Sequence, residues 1–408
     1  MRLNNQRHDR PQAGPGQAAP LADRWLLDNG FQFNPFAALD AASDPHLHRY
    51  FVQQVAFDSL WGPWPSLVFE PKGGGKTALR ARIVQTCYIG QERNRPFPIS
   101  YLPSFLAFGG AEPDLAAHMR QIVMSAARQL LFALVHRPHW YLRLQPDEQS
   151  AVCSFLNANL PGPLSTYLLL VDNRGESELL KERLRLLPSI RIEPDLAQVL
   201  ALREALRQPA LAAPAQSAAS HWELMMTVLK DVFGFQEIYL LIDGLDAGPE
   251  TAENPEALVR ACQPLWMQAP AWAEQQQLFV KAFLPTEAEP VMVTTHQAMM
   301  AFARVAAIVW TEALLVEMLQ QRIEVATQRL FSSLDAVAVP GFVEIERQIV
   351  AQAPALPREV LALTGAFLDA HARQSGPANR LRPESLELGL ATYRQSSPYW
   401  LSPSHRDG

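Results

Sequence analysis

Residues Gly73-Gly74-Gly75-Lys76-Thr77 follow the apolar run Leu67-Val68-Phe69 at a distance of three residues, Glu70-Pro71-Lys72. Three consecutive glycines let backbone N–H groups fold around an anion with no Cβ in the way. A lysine directly after them can neutralise the outer phosphates of a nucleotide, and the next hydroxyl is a hard oxygen ligand for Mg²⁺. The spacing is that of a phosphate-binding loop, G-x-x-x-x-G-K-[ST], with Glu70 in the place of the first glycine. Lys72, Gly73, Gly74, Gly75, Lys76, Thr77 and Ala78 are therefore the candidate phosphate contacts, with Thr77 also a candidate metal ligand. Leu79, Ile83 and Cys87 recur at i, i+4 and i+8, which predicts a helix whose positive end faces the anion. A flexible turn beside a surface lysine is the alternative, and the strand before and helix after argue against it. The residues imply a bound nucleoside triphosphate.

A second segment, Ile238-Tyr239-Leu240-Leu241-Ile242-Asp243-Gly244-Leu245-Asp246, is an apolar strand ending in carboxylates. Asp-Gly alone is a common turn signal. Beside a phosphate loop it gains a different meaning, because Mg²⁺ must bridge phosphate oxygens and a fixed carboxylate. Asp243 is the candidate metal ligand, and Asp246 is the candidate group that positions or activates water.

Glu70 is the anomaly. Unit charges 4 Å apart repel by about 4 kcal/mol at an effective dielectric of about 20. The expectation is that its side chain points away from the phosphates and pairs with Lys72 or a nearby arginine.

The elements that must position these groups are legible in outline. Strands are expected at Ser66 to Phe69, Ile99 to Leu102, Ile238 to Ile242, Leu278 to Leu284 and Ala306 to Trp310. Short, apolar and separated by helical stretches, they suggest a parallel α/β sheet buried on both faces. Leu21 to Phe57 is expected to be mostly helical with a turn at Asn34-Pro35. A helical insertion is expected at about 105–236, opening with a stripe from Leu115 to Leu134 and containing a linker-like run from Arg207 to Ser220. The domain reading is a disordered tail at 1–20, a core at 21–310, a helical lid at 311–395 and a flexible tail at 396–408. Hydrophobic residues make up 48% of the 408, too many for a largely disordered chain, and the net charge of −6 gives no footprint for nucleic acid. No run of about 18 apolar residues predicts a membrane span, and no secretory signal is apparent, so a cytoplasmic location is expected. Cys87, Cys153 and Cys262 form neither a zinc pattern nor a disulfide framework.

Asp243-Gly244-Leu245-Asp246 resembles the Asp-Gly-hydrophobic-Asp form of the Walker B motif in STAND-type NTPases, the NACHT group included. These belong to the AAA+/ASCE division of P-loop NTPases, and Pro71 to Thr77 followed by Ala78-Leu79-Arg80, with Tyr50-Phe51-Val52 upstream, is similar to uncharacterised bacterial ATPases of this kind. The resemblance implies a three-layer core, a five-stranded parallel sheet of order 5-1-4-3-2 and a C-terminal helical lid. It implies ATP and Mg²⁺ as cofactors. Asn34-Pro35-Phe36 is similar to the Asn-Pro-Phe entry segment of several AAA+ ATPases, which places Pro35 and Phe36 beside the adenine. Lys281, in the fourth strand, resembles a sensor near the γ-phosphate, with Val293-Thr294-Thr295-His296 as its competitor. Arg358, in Leu356-Pro357-Arg358-Glu359, resembles the second sensor. Asp246, Lys281 and Arg358 are thus the candidate catalytic residues. Ala247 stands where many STAND proteins carry an acidic residue, a departure that bears on hydrolysis.

Other features take blander readings. Arg322 reads as a helix-surface charge, His46 and His48 lack a third metal ligand, and Trp61 and Trp64 read as packing. The resulting expectation is an ATP-hydrolysing molecular switch in bacterial signalling or defence, working with a protein partner or as a homo-oligomer. The alternatives are a non-hydrolysing nucleotide-stabilised scaffold and a DNA-associated AAA+ ATPase of the transposition type.

Overall fold

Four short, largely apolar runs and a three-residue edge strand build the sheet. β1 (Ser66–Phe69), β3 (Ile238–Ile242) and β4 (Leu278–Leu284) are buried at every residue, and β2 (Phe97–Tyr101) at all but one. β5 (Arg304–Ala306) is a short edge with two exposed residues. All pairings are parallel, in the order β2-β3-β4-β1-β5. Parallel strands need crossovers, and here helices make them and cover the apolar side chains. The computed structural model describes residues 21–88, 95–103, 112–170, 178–190, 195–206, 217–248, 251–375 and 379–397. The expected tail at 1–20, residues 398–408 of the expected tail at 396–408, and most of the linker-like run (207–216) lie outside them. Ser396 instead ends a helix, and Ser397 is buried and donates to Glu359 at 2.7 Å.

The helix Lys76–Tyr88 packs against β2 and β4. Its last carbonyls are not left bare: Thr86 O accepts from Arg95 and Tyr88 O from Arg137, at 2.9 and 2.8 Å. The helix Leu115–His136 starts where Asp114 accepts the Ala117 N–H at 2.7 Å, and buries Ile122, Val123, Ala126, Leu130 and Leu134. The regular elements in the described part of the insertion are all helices, joined by turns. Among the described residues no helix is long and apolar enough to cross a membrane.

The chain forms two compact units, and the division differs from the expected one. One unit takes Ala38–Thr311 with Leu356–Arg358 and contains the sheet; the other takes Met1–Ala37, Glu312–Ala355 and Glu359–Gly408. Residues 21–37 therefore leave the expected core. The reason is Trp25, fully buried, whose indole donates to Asn379 O at 2.9 Å and meets the His371 ring edge-on at 5.2 Å. In the same unit Gly389 is needed for close helix packing, since a Cβ there would lie 2.5 Å from the Phe367 backbone. The stretch to Phe57 is also less helical than expected. It holds Leu21–Asp28, a 3₁₀ turn at Leu47–Arg49 and Val55–Leu60, with turns between. Polar side chains cause this: Asn34 accepts the Phe36 N–H and Asp44 accepts the His46 N–H, each at 2.9 Å.

Candidate functional site

The glycine-rich loop joins β1 to the helix Lys76–Tyr88 at the C-terminal ends of the strands. Glu70 N–H continues the ladder by donating to Leu284 O at 3.0 Å, and Gly74 N–H closes a turn on Pro71 O at 3.1 Å. Gly73 and Gly75 adopt φ of +92° and +107°, a region that side chains with Cβ rarely enter. The loop's carbonyls are taken up one after another. Lys76 Nζ donates to Glu70 O at 2.6 Å and to Pro71 O at 3.2 Å. The Arg358 N–H donates to Gly73 O at 3.4 Å, and the Trp310 indole to Gly74 O at 2.8 Å. Gly75 O accepts the first helical bond from Leu79 at 2.9 Å. With these carbonyls engaged, the N–H groups of the helix's first turn, which have no intrahelical partner, remain to meet an anion.

Asp243 ends β3 in a buried position, and its Oδ2 accepts from Thr77 Oγ1 at 2.9 Å and from Arg80 Nε at 2.8 Å. Asp246 Oδ2 lies 3.7 Å from Lys76 Nζ. Burial lowers the Lys76 pKa, against the opposing pull of Asp246, Asp243 and Glu70. Thr77, Lys76, Asp243 and Asp246 are thus brought together, from segments more than 160 residues apart. Arg80 joins them and was missed from the sequence. Its signal was available: it stands one helical turn after Lys76 and so shares the face turned to the end of β3.

Glu70 departs from expectation. It does not turn outward to Lys72 or an arginine; it is buried against the loop, with its pKa pushed up to about 7 by burial, opposed by Lys76 and the Ile308 N–H. Burial favours the protonated, uncharged form of this carboxyl, and the side chain fills space beneath Gly74.

Lys281 is corrected as well. Its Cα pairs with Ser66 and Leu241, while Leu284, three residues on, pairs with Phe69 at the loop. Three residues of strand are about 10 Å, so the amine is remote from the loop. Nζ donates to Gly62 O at 2.8 Å and Trp64 O at 2.6 Å, and lies 4.4 Å from the centre of the Tyr239 ring. Burial lowers its pKa to about 7, and a neutral amine still has two N–H groups for those two carbonyls. Trp61 packs edge-on to Tyr239 and Trp64 stacks under Arg304, so both tryptophans are packing residues.

Arg358 lies at the loop through its backbone, while its guanidinium is held by the Asp40 carboxylate. Thr294 and Thr295 close the helix Ala288–Thr295 by donating back to Val291 O, at 2.9 and 2.7 Å. With His296 they line an open groove of about 400 Å³ beside Trp266 and Met267. Lys72 is exposed, and Ala78 sits in the helix's first turn. Pro35 and Phe36 belong to the helical unit, where Arg322 is buried and donates to Pro35 O at 2.6 Å; the expected surface charge is a buried strut. The cysteines at 87, 153 and 262 are free and buried, and no group of three or more His, Cys, Asp or Glu capable of holding a metal occurs among the described residues.

Comparison of the chain with protein-family models and with curated proteins finds no match.

Proposed function

We propose that this chain binds ATP with Mg²⁺ at Glu70–Thr77 and acts as an ATP-hydrolysing switch of the AAA+/STAND kind. The observation that carries the reading is the state of the loop carbonyls. Those of Glu70, Pro71, Gly73 and Gly74 are engaged by Lys76, Arg358 and Trp310, which leaves a cradle of N–H groups at a helix start. The residues fit the nucleotide on a second count. The hydroxyl of Thr77 is already bonded to Asp243, a donor set of hard oxygens suited to Mg²⁺. When bound, Mg²⁺ would neutralise phosphate charge. Lys76 would face the β and γ phosphates, Thr77 and Asp243 would hold the metal, and Asp246 would orient water. The strand order, read from β5 as 5-1-4-3-2, supports a three-layer core of the ASCE type.

A switch requires that ATP bind two conformations with different affinity. A protein partner or a second copy of the chain would read that difference, in bacterial signalling or defence. The non-hydrolysing scaffold is kept as a second reading because Asp246 lies 3.7 Å from the Lys76 ammonium, as a counter-ion would. Ala247 adds no further carboxylate there.

Isothermal titration of ATP into the wild type and Lys76→Ala, with steady-state turnover on both, tests the proposal. The expected result is at least a tenfold loss of affinity in the variant, about 1.4 kcal/mol or more. Equal binding by both proteins rejects the phosphate-loop reading, and tight binding without turnover selects the scaffold.

A further inference from the structure

Arg80 and Asp243 are 3% and 2% exposed, and the guanidinium Nε stands 2.8 Å from Oδ2. A carboxylate so deeply buried is costly to ionise without a partner. The fold supplies that partner from its own chain, one helical turn after Lys76, and the same oxygen also takes the Thr77 hydroxyl at 2.9 Å. Lys76 and Arg80 are the buried cations beside Asp243 and Asp246, and Glu70 and Glu287 also act on Lys76. Without Arg80, an incoming triphosphate would meet this carboxylate-rich surround with one buried cation fewer.

We propose that Arg80 is the built-in counter-ion of Asp243, a positioning residue that holds the carboxylate against Thr77 and lets the loop accept a triphosphate without divalent metal. The inference rests on the nucleotide reading above. Arg80 acts through Asp243 and the local potential, with no contact to phosphate required.

The test is titration of ATP in Mg²⁺ and in EDTA, with the wild type, Arg80→Gln, Asp243→Asn and the double variant. The wild type is expected to lose less than tenfold in affinity on moving to EDTA. Arg80→Gln should lose at least tenfold in EDTA and under threefold in Mg²⁺, where the metal takes over the pairing. Asp243→Asn should gain at least threefold in EDTA, because the Arg80 charge is no longer neutralised. The double variant should return to the wild-type EDTA value. If Arg80→Gln does not fold, Asp243→Asn against the double variant decides, with the Arg80 charge expected to give at least threefold tighter metal-free binding. An EDTA affinity insensitive to Arg80, or a wild type losing more than tenfold in EDTA, overturns this inference alone. A wild type that binds ATP in neither buffer overturns the nucleotide reading instead.

Discussion

The Glu70 side chain occupies the space that a Cβ on Gly74 would need: such an atom would lie 2.3 Å from Oε1 and 2.4 Å from Cγ. Gly74 is not at positive φ, so packing rather than backbone strain makes glycine necessary there. Gly74→Ala should therefore displace Glu70 and deform the loop, at about 1–3 kcal/mol, the usual range for overpacking. Thermal melts should show the loss, and ATP affinity should fall at least tenfold. Glu70→Ala in the same chain should restore both, and a double variant as impaired as Gly74→Ala would show that the clash is not the cause.

Glu70 also makes stability depend on pH. Its pKa rises on folding from 4.5 to about 7, so the native state binds more protons than the unfolded chain between those values. Its contribution is most favourable below pH 4.5 and is lost as pH rises through 7. Melting temperatures of the wild type and Glu70→Gln should move apart between pH 5 and 8, with the wild type losing ground. A constant difference across that range would mean that the carboxyl does not titrate there.

Lys281 has the opposite sign. The unfolded chain binds the extra proton between about 7 and 10.5, so the wild type should gain stability over that window relative to Lys281→Met. Near pH 7 the variant leaves the carbonyls of Gly62 and Trp64 without their donor, a cost of about 2 kcal/mol. ATP affinity should change less than threefold. A tenfold loss of affinity in a variant that still folds would return Lys281 to the sensor role.

Asp246 and Asp243 should separate. Asp246→Asn should spare ATP binding and lower turnover at least tenfold if its carboxylate orients water. Asp243→Asn should weaken binding in Mg²⁺ through the lost metal contact. Normal turnover by Asp246→Asn would place the water-activating group elsewhere.

Trp310 offers a smaller test. Trp310→Phe keeps the ring beside Gly75 and removes the indole N–H bonded to Gly74 O. With that carbonyl free to turn into the cradle, ATP affinity should fall about threefold to tenfold, which corresponds to about 1 kcal/mol for one neutral hydrogen bond. Unchanged affinity would mean that the bond does not shape the loop.

The loop Gly73–Thr77, the strand-ending Asp243, and β1, β3 and β4 in full were legible in the sequence, because each is written in consecutive residues. A buried parallel strand is a continuous apolar run, and a glycine cradle needs its glycines side by side. β5 was misplaced to Ala306 to Trp310 because an edge strand pairs on one side only and keeps Arg304 and Val305 exposed, which blurs the apolar signal. The tertiary structure alone decided what the charged side chains do. Register set Lys281 three residues short of the loop, and the approach of β3 turned Arg80 into a partner of Asp243. Packing placed the Trp310 indole on Gly74 O and drew Glu70 in beneath the loop instead of out to solvent. A lysine, arginine or glutamate carries the same sequence signal at a surface, a strut or a site. Its partner and its charge state follow from burial and from groups brought near by long-range pairing, which no local pattern records.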